Sequence, residues 1–180
     1  IEMPHRGVSL GRNAGAVAAT GGRLLFLDAD TRLPPDFLKR GVVELDAASA
    51  DVGITLMSAE GLPFHYKVGF GVFNVGIRAT RILFPTAIGA CLFSTPRLHQ
   101  SIGGFDEAIG LCEDCDYVLR ACQLGAVSAI VTAKFRFDPR RLEQDGFLKT
   151  GRTYLRANLR RFFQGELRNQ EITYRFGHYE

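Results

Sequence analysis

Cysteine is sparse in this chain. Four residues in 180, Cys91, Cys112, Cys115 and Cys122, are too few for a disulfide scaffold and imply a reduced, cytoplasmic setting. An excess of one charge is also missing. Lys and Arg number 22 against 19 Asp and Glu, a net charge of +3, which by itself gives no reason to expect a nucleic-acid partner. The most apolar stretch, residues 68–93, is interrupted by Arg78, Arg81 and Pro85, whereas a membrane-spanning helix needs ~20 predominantly apolar residues. The opening Ile-Glu-Met-Pro lacks the apolar core of a signal peptide and an initiator methionine, so the expectation is a piece of a longer protein. Internal repeats and low-complexity linkers are absent as well.

What remains is the composition of a globular domain, 46% hydrophobic and 23% charged. Residues 12–20 read as a short helix ended by Gly21-Gly22. The run Leu24-Leu25-Phe26-Leu27 suits a strand buried on both faces. Pro34-Pro35 opens a helix reaching about residue 48, and residues 52–57 read as a strand. Residues 64–84 are apolar and glycine-rich, which leaves helix and loop equally open. Residues 86–94 look extended, 102–107 form a tight turn, 113–124 a helix closed by Gly125, and 127–131 the next strand. Such alternation implies an α/β sandwich with a mostly parallel sheet and ligands at the carboxyl ends of its strands.

Three groups of residues carry possible chemistry. Asp28-Ala29-Asp30 leaves a buried strand, and two carboxylates there suit a hard divalent cation, Mg²⁺ or Mn²⁺, held against a diphosphate. The alternative is a polar turn capping the following helix. Glu113-Asp114-Cys115-Asp116 opens a helix, where one carboxylate can serve as a general base. The same acids also favour a helix N-terminus by charge alone, and Asp116 can pair with Arg120 at i, i+4. In Gly11-Arg12-Asn13-Ala14-Gly15 the arginine can clamp a phosphate, while Gly15, Ala18 and Ala19 would serve equally well in helix packing. Cys112-Xaa-Xaa-Cys115 has zinc-like spacing with no second pair, and is better read as buried thiols near a helix start.

In this order and spacing the pieces resemble glycosyltransferase family 2, the inverting GT-A type. The resemblance runs from Gly11-Arg12-Asn13 through Leu-Leu-Phe-Leu-Asp28-Ala-Asp30, Gly89 and Gly103-Gly104-Phe105-Asp106-Glu107 to the acidic helix, about residues 7–131. It implies a Rossmann-like three-layer sandwich whose first βα units are missing. It also implies that Asp28 sits by the donor's ribose and diphosphate, that Asp30 with Asp28 binds the metal, and that Arg12 and Asn13 line the donor side. Gly89 and Gly104 fall on the acceptor side. Asp114 would be the base, supported by Glu113 and Asp116. The donor would be a nucleotide-sugar and the acceptor a glycan or a lipid-linked molecule. The family's metal-binding histidine after the last core strand is replaced here by Lys134-Phe135-Arg136; Arg140-Arg141 reads first as a solvated turn, and by the resemblance it would be a substitute contact for the diphosphate.

Two divisions follow: residues 1–138 as a partial catalytic domain and 139–180 as a basic, helical C-terminal segment. Within the latter, residues 147–163 read as an amphipathic helix that packs on the core, joins a second copy, or rests peripherally on the inner membrane face. Two rivals stand beside the transferase. One is a haloacid-dehalogenase-type phosphatase, which places Arg32 where that family needs Thr or Val. The other is a degenerate transferase domain acting as a non-catalytic scaffold.

Overall fold

The computed structural model describes residues 1–3 and 5–168, leaving out the side chain of Arg141; the last part of the C-terminal segment, 169–180, lies outside the described residues. In chain order the elements are α1 (Val8–Ala18), β1 (Leu24–Leu27), β2 (Thr31–Arg32), α2 (Phe37–Ala47), β3 (Val52–Ser58), α3 (Phe64–Thr80), β4 (Cys91–Ser94), α4 (Pro96–Ser101), α5 (Glu113–Gln123), β5 (Ser128–Phe137), α6 (Arg140–Asp145) and α7 (Phe147–Gln164).

The five strands lie in the order β1-β4-β3-β5-β2. Strands β1, β3 and β5 share one direction. Strand β4 enters between β1 and β3 and runs against both, with Leu24 opposite Ser94 and Ile54 opposite Leu92. Strand β2 runs against the end of β5, so the β3/β5 pair alone is parallel among the described strands. The sheet is therefore mixed, and the expected mostly parallel sheet is corrected. The three co-directional strands survive, but one reversed strand inserted among them turns two pairings antiparallel.

Side-chain alternation along β4 divides the core into two layers. Leu92 joins Phe26, Ile54, Ile77, Tyr117 and Val118 on the face covered by α3 and α5. Cys91 and Phe93 join Phe37, Leu45, Val131 and Phe135 on the face covered by α2. Gly53 is required in the middle of β3: a Cβ there would lie 2.9 Å from both Leu45 methyl carbons and from Phe93 Cβ. Burying such apolar side chains stabilises each layer by ~1.5–3 kcal/mol per large residue.

Residues 64–80, open between helix and loop on sequence grounds, form α3. Tyr66, Phe70 and Ile77 turn inward, and the Asn74 side chain pairs with both backbone groups of Met57, at 3.1 and 2.8 Å. Strand β5 runs six residues past the expected end at residue 131. Lys134-Phe135-Arg136 is therefore part of this strand, with Phe135 buried and its two basic neighbours exposed, rather than a segment following it. Helix α2 begins at Phe37, after the two prolines instead of on them.

Helix α7 is tied down at both ends. Phe147 packs on Tyr66, with ring centroids 4.9 Å apart, in space left by Gly69. Phe162 meets Phe84 at 5.5 Å. Between them Ala157 and Tyr154 pack on Leu111, Cys112 and Cys115. Both thiols are buried.

Candidate active site

Strand β1 ends at Leu27 and the chain turns across the sheet. The Asp28 N–H donates to Ala90 O at 3.1 Å, and the Thr31 N–H donates back to Asp28 O at 3.1 Å. The N-cap position of α2 is Asp36, whose side chain makes no capping bond. Asp28 and Asp30 both lie on a cleft of about 870 Å³ between α1 and β1, with Arg140 and Gln144 of α6 on its rim. Gly11, Gly15 and Ala19 line the same cleft. Nothing among the described residues lies within 4 Å of a Cβ built on Gly15, so these small residues border open space rather than pack a helix.

Arg12 joins the two halves of the site. Its Nη2 donates to Asp28 Oδ1 at 2.9 Å and its Nη1 to Glu113 Oε1 at 2.6 Å. Glu113 is 6% exposed and stands at the N-terminus of α5. Next to it, Asp114 Oδ2 accepts the Gly89 N–H at 2.5 Å and Oδ1 accepts its neighbour's amide, Cys115 N–H, at 2.8 Å. A Cβ on Gly89 would come within 2.8 Å of both Arg12 Nη atoms, so a larger residue there would press on the guanidinium. Arg12, Asp28, Gly89, Glu113 and Asp114 thus form one cluster, drawn from four separate parts of the chain.

Asn13 faces elsewhere. Its amide brackets Phe105, accepting the Phe105 N–H at 2.8 Å and donating to Phe105 O at 3.0 Å, and it reaches Glu107 Oε1 at 3.0 Å. It holds the Gly-Gly-Phe-Asp-Glu turn rather than the cleft. Gly104 has φ +74°, and a Cβ there would lie 2.7 Å from Asn13 Oδ1. Asp116 is also turned away. It is buried and bonds Arg120 Nε at 2.8 Å, while Arg120 Nη1 donates to Ile102 O at 2.6 Å. The i, i+4 pair is formed and fastens α5 to the loop after α4.

Electrostatics follow from this packing. Burial pushes the Glu113 carboxyl up to about 7; Asp114 adds to the rise and Arg12 opposes it. Burial acts to lower the Arg12 value, but Glu113, Asp28 and Asp114 outweigh it and hold the guanidinium above its ordinary range. Burial lowers His99, which faces Tyr117 Oη at 3.2 Å beneath the turn. Among the described residues no three His, Cys, Asp or Glu side chains converge as a metal cage. Asp28 and Asp30 instead offer hard oxygen donors on one lip of the cleft, the donor set of a cation shared with phosphate oxygens. Gln144 on the rim has no local signal in the sequence, because α6 is only six residues long.

The glycosyl transferase family 2 model matches residues 1–92. The chain belongs to glycosyl transferase family 2. The matched part of this family 2 chain carries Arg12, Asn13, Asp28, Asp30 and Gly89; Gly104 and the acidic helix lie beyond it. Membership also removes the phosphatase rival. No curated protein matches the chain. Among solved structures, the mannosyltransferase PcManGT from Pyrobaculum calidifontis, in complex with GDP-Man and Mn²⁺, aligns with TM-score 0.56 and 20% identity over 72% of this chain and 35% of its own. S. aureus TarS 1–349 in complex with UDP-GlcNAc gives 0.54 and 20% over 74% of this chain and 40% of its own. A further TarS 1–349 structure gives 0.54 and 18% over 88% and 52%. These likenesses establish the GT-A α/β fold, and the chain spans about a third to a half of the length of those proteins.

Proposed function

We propose that this family 2 site moves a sugar from a nucleoside-diphosphate donor to an acceptor hydroxyl, with inversion at the anomeric carbon. The supporting observation is the Arg12 cluster, which joins a cleft-side carboxylate, Asp28, to the carboxylates at the start of α5. The acceptor oxygen attacks the anomeric carbon as its proton passes to Asp114. The bond from that carbon to the diphosphate breaks, and its electron pair leaves with the diphosphate. One displacement inverts the carbon and needs no covalent intermediate.

Asp114 is the best placed of the three acids. Glu113 is sealed behind Arg12 and Asp116 is committed to Arg120, whereas two backbone amides orient Asp114, which Arg12 influences through space while pairing directly with Asp28 and Glu113. Asp30 and Asp28 would hold a Mg²⁺ or Mn²⁺ ion, which when bound neutralises charge developing on the leaving diphosphate. Arg12 fixes Asp28 for that task, and Arg140 on the rim provides a cation for phosphate oxygens. Glycans and lipid-linked hydroxyls are the acceptors we infer, at the cytoplasmic face of the inner membrane.

The test is calorimetry with UDP and GDP, with and without Mn²⁺, alongside turnover of the Asp114→Asn chain. Metal-dependent binding that is lost in Asp30→Ala, together with an Asp114→Asn variant that binds donor and does not turn over, is the expected result. Normal turnover by Asp114→Asn would overturn the base assignment. Absence of nucleotide binding under every condition would favour the non-catalytic module.

A further inference from the structure

Two helices carry more exposed apolar surface than their packing explains. Helix α3 turns Tyr66, Phe70 and Ile77 inward but leaves Phe64 80% exposed, with Val68, Val72 and Val75 along the same outward stripe. Helix α7 buries Thr150, Ala157 and Arg161 and leaves Leu155, Leu159, Phe162 and Phe163 outside, the last 75% exposed. The helices touch near both ends and run in the same direction. The start of α7 meets the start of α3 through Phe147 and Tyr66, and its end meets the residue just beyond α3 through Phe162 and Phe84.

At 3.6 residues per turn, the positions around each helix place the two stripes next to each other. The basic residues fall on the outer borders: Lys67 and Arg78 on the far side of α3, and Lys149, Arg152 and Arg156 on the far side of α7. The result is an apolar strip between two rows of cations. No Asp or Glu occurs in residues 64–84 or 147–164.

We propose that this α3–α7 face docks on an anionic lipid bilayer. The covering partner must be apolar at its centre and negative at its edges, and a leaflet containing acidic lipids meets both demands. The long basic side chains reach headgroups while their stems stay on the apolar strip. A second copy of this face would bring cations against cations with no acid to answer them. No helix of the described residues is long and apolar enough to cross a membrane, so the contact is with a surface. The inner side of α7 packs on Cys112 and Cys115 beside Asp114. On the transferase reading, docking would then bring lipid-carried acceptors to the side of the chain where α7 covers the base.

The experiment is sedimentation of the full chain with vesicles of phosphatidylcholine alone and of phosphatidylcholine mixed with phosphatidylglycerol. It uses no donor, so its result is separate from that of the transferase reading. We expect the chain to pellet with the acidic vesicles only and to be released by salt. Arg152→Gln with Arg156→Gln should lower the partition about 30-fold, from about fivefold per basic side chain at an anionic surface. Leu155→Ser with Phe163→Ser should also lower it at least tenfold. All four side chains are exposed, and circular dichroism checks that the variants keep their fold. Failure to pellet with acidic vesicles, or pelleting unaffected by both double variants, overturns the proposal. So does a dimer that forms with concentration and is lost in the same variants, which would assign the face to a second copy.

Discussion

Replacing Glu113 by glutamine tests whether the buried carboxylate at the centre of the site is held there against its own preference. Glu113 is 6% exposed, and its folded value of about 7 lies above the ordinary carboxyl value of 4.5. Between those two pH values the unfolded chain has released this proton while the folded chain keeps it. Proton release on unfolding makes stability fall as pH rises through that interval. Each pH unit corresponds to about 1.4 kcal/mol, so the wild type loses roughly 3 kcal/mol through this one group by pH 8. Glutamine keeps the size and an oxygen for Arg12 but cannot ionise, so its chain escapes the loss. Urea unfolding followed by far-ultraviolet circular dichroism, from pH 5 to pH 8, reads the difference between the two chains, and groups common to both cancel. The variant should be slightly more stable at pH 5 and more stable by about 3 kcal/mol at pH 8. A difference that does not grow with pH, or a wild type that is the more stable at pH 8, would refute the argument. Stability gained in this way would be accompanied by lost turnover, a common trade at sites that hold an unfavourable charge.

Gly89→Ala should cost about 1–3 kcal/mol in thermal or chemical unfolding, because the new methyl meets a guanidinium clamped by two carboxylates; an unchanged midpoint would mean that Arg12 moves freely. Arg120→Ala should cost about 3–5 kcal/mol, since Asp116 is 4% exposed and would be left without its cation. The surviving folded fraction should keep the wild-type kcat, and a lowered kcat would return Asp116 to the support of the base.

Features carried by adjacent residues were legible. The apolar run before Asp28 marked a strand ending at the cleft, and the acids before Tyr117 marked a helix start. The i, i+4 spacing of Asp116 and Arg120 announced their pair. Strand direction was not legible, because β4 has the same apolar character whichever way it runs and only its neighbours β1 and β3 reveal the reversal. Helix α3 was obscured by Gly69, Gly71 and Gly76, poor helix formers. At least Gly69 is there because Phe147 of a distant helix fills the space beside it. The length of β5 could have been read from period-two alternation, with Ala133 and Phe135 buried and Lys134 and Arg136 exposed. Arg12 and Asn13 both looked like donor-side residues. Only the folded chain separates them, because their partners come from residues far along the sequence.

That separation sets an order for the chain's synthesis. Arg12 precedes its partner Glu113 by 101 residues. At 5–20 residues per second the guanidinium waits roughly 5–20 s for its carboxylate. Among the described residues, strand β1 likewise waits for Cys91–Ser94, the strand it pairs with. A ribosome that stops before α5 leaves behind a chain whose Arg12 holds Asp28 but has no Glu113 to pair with.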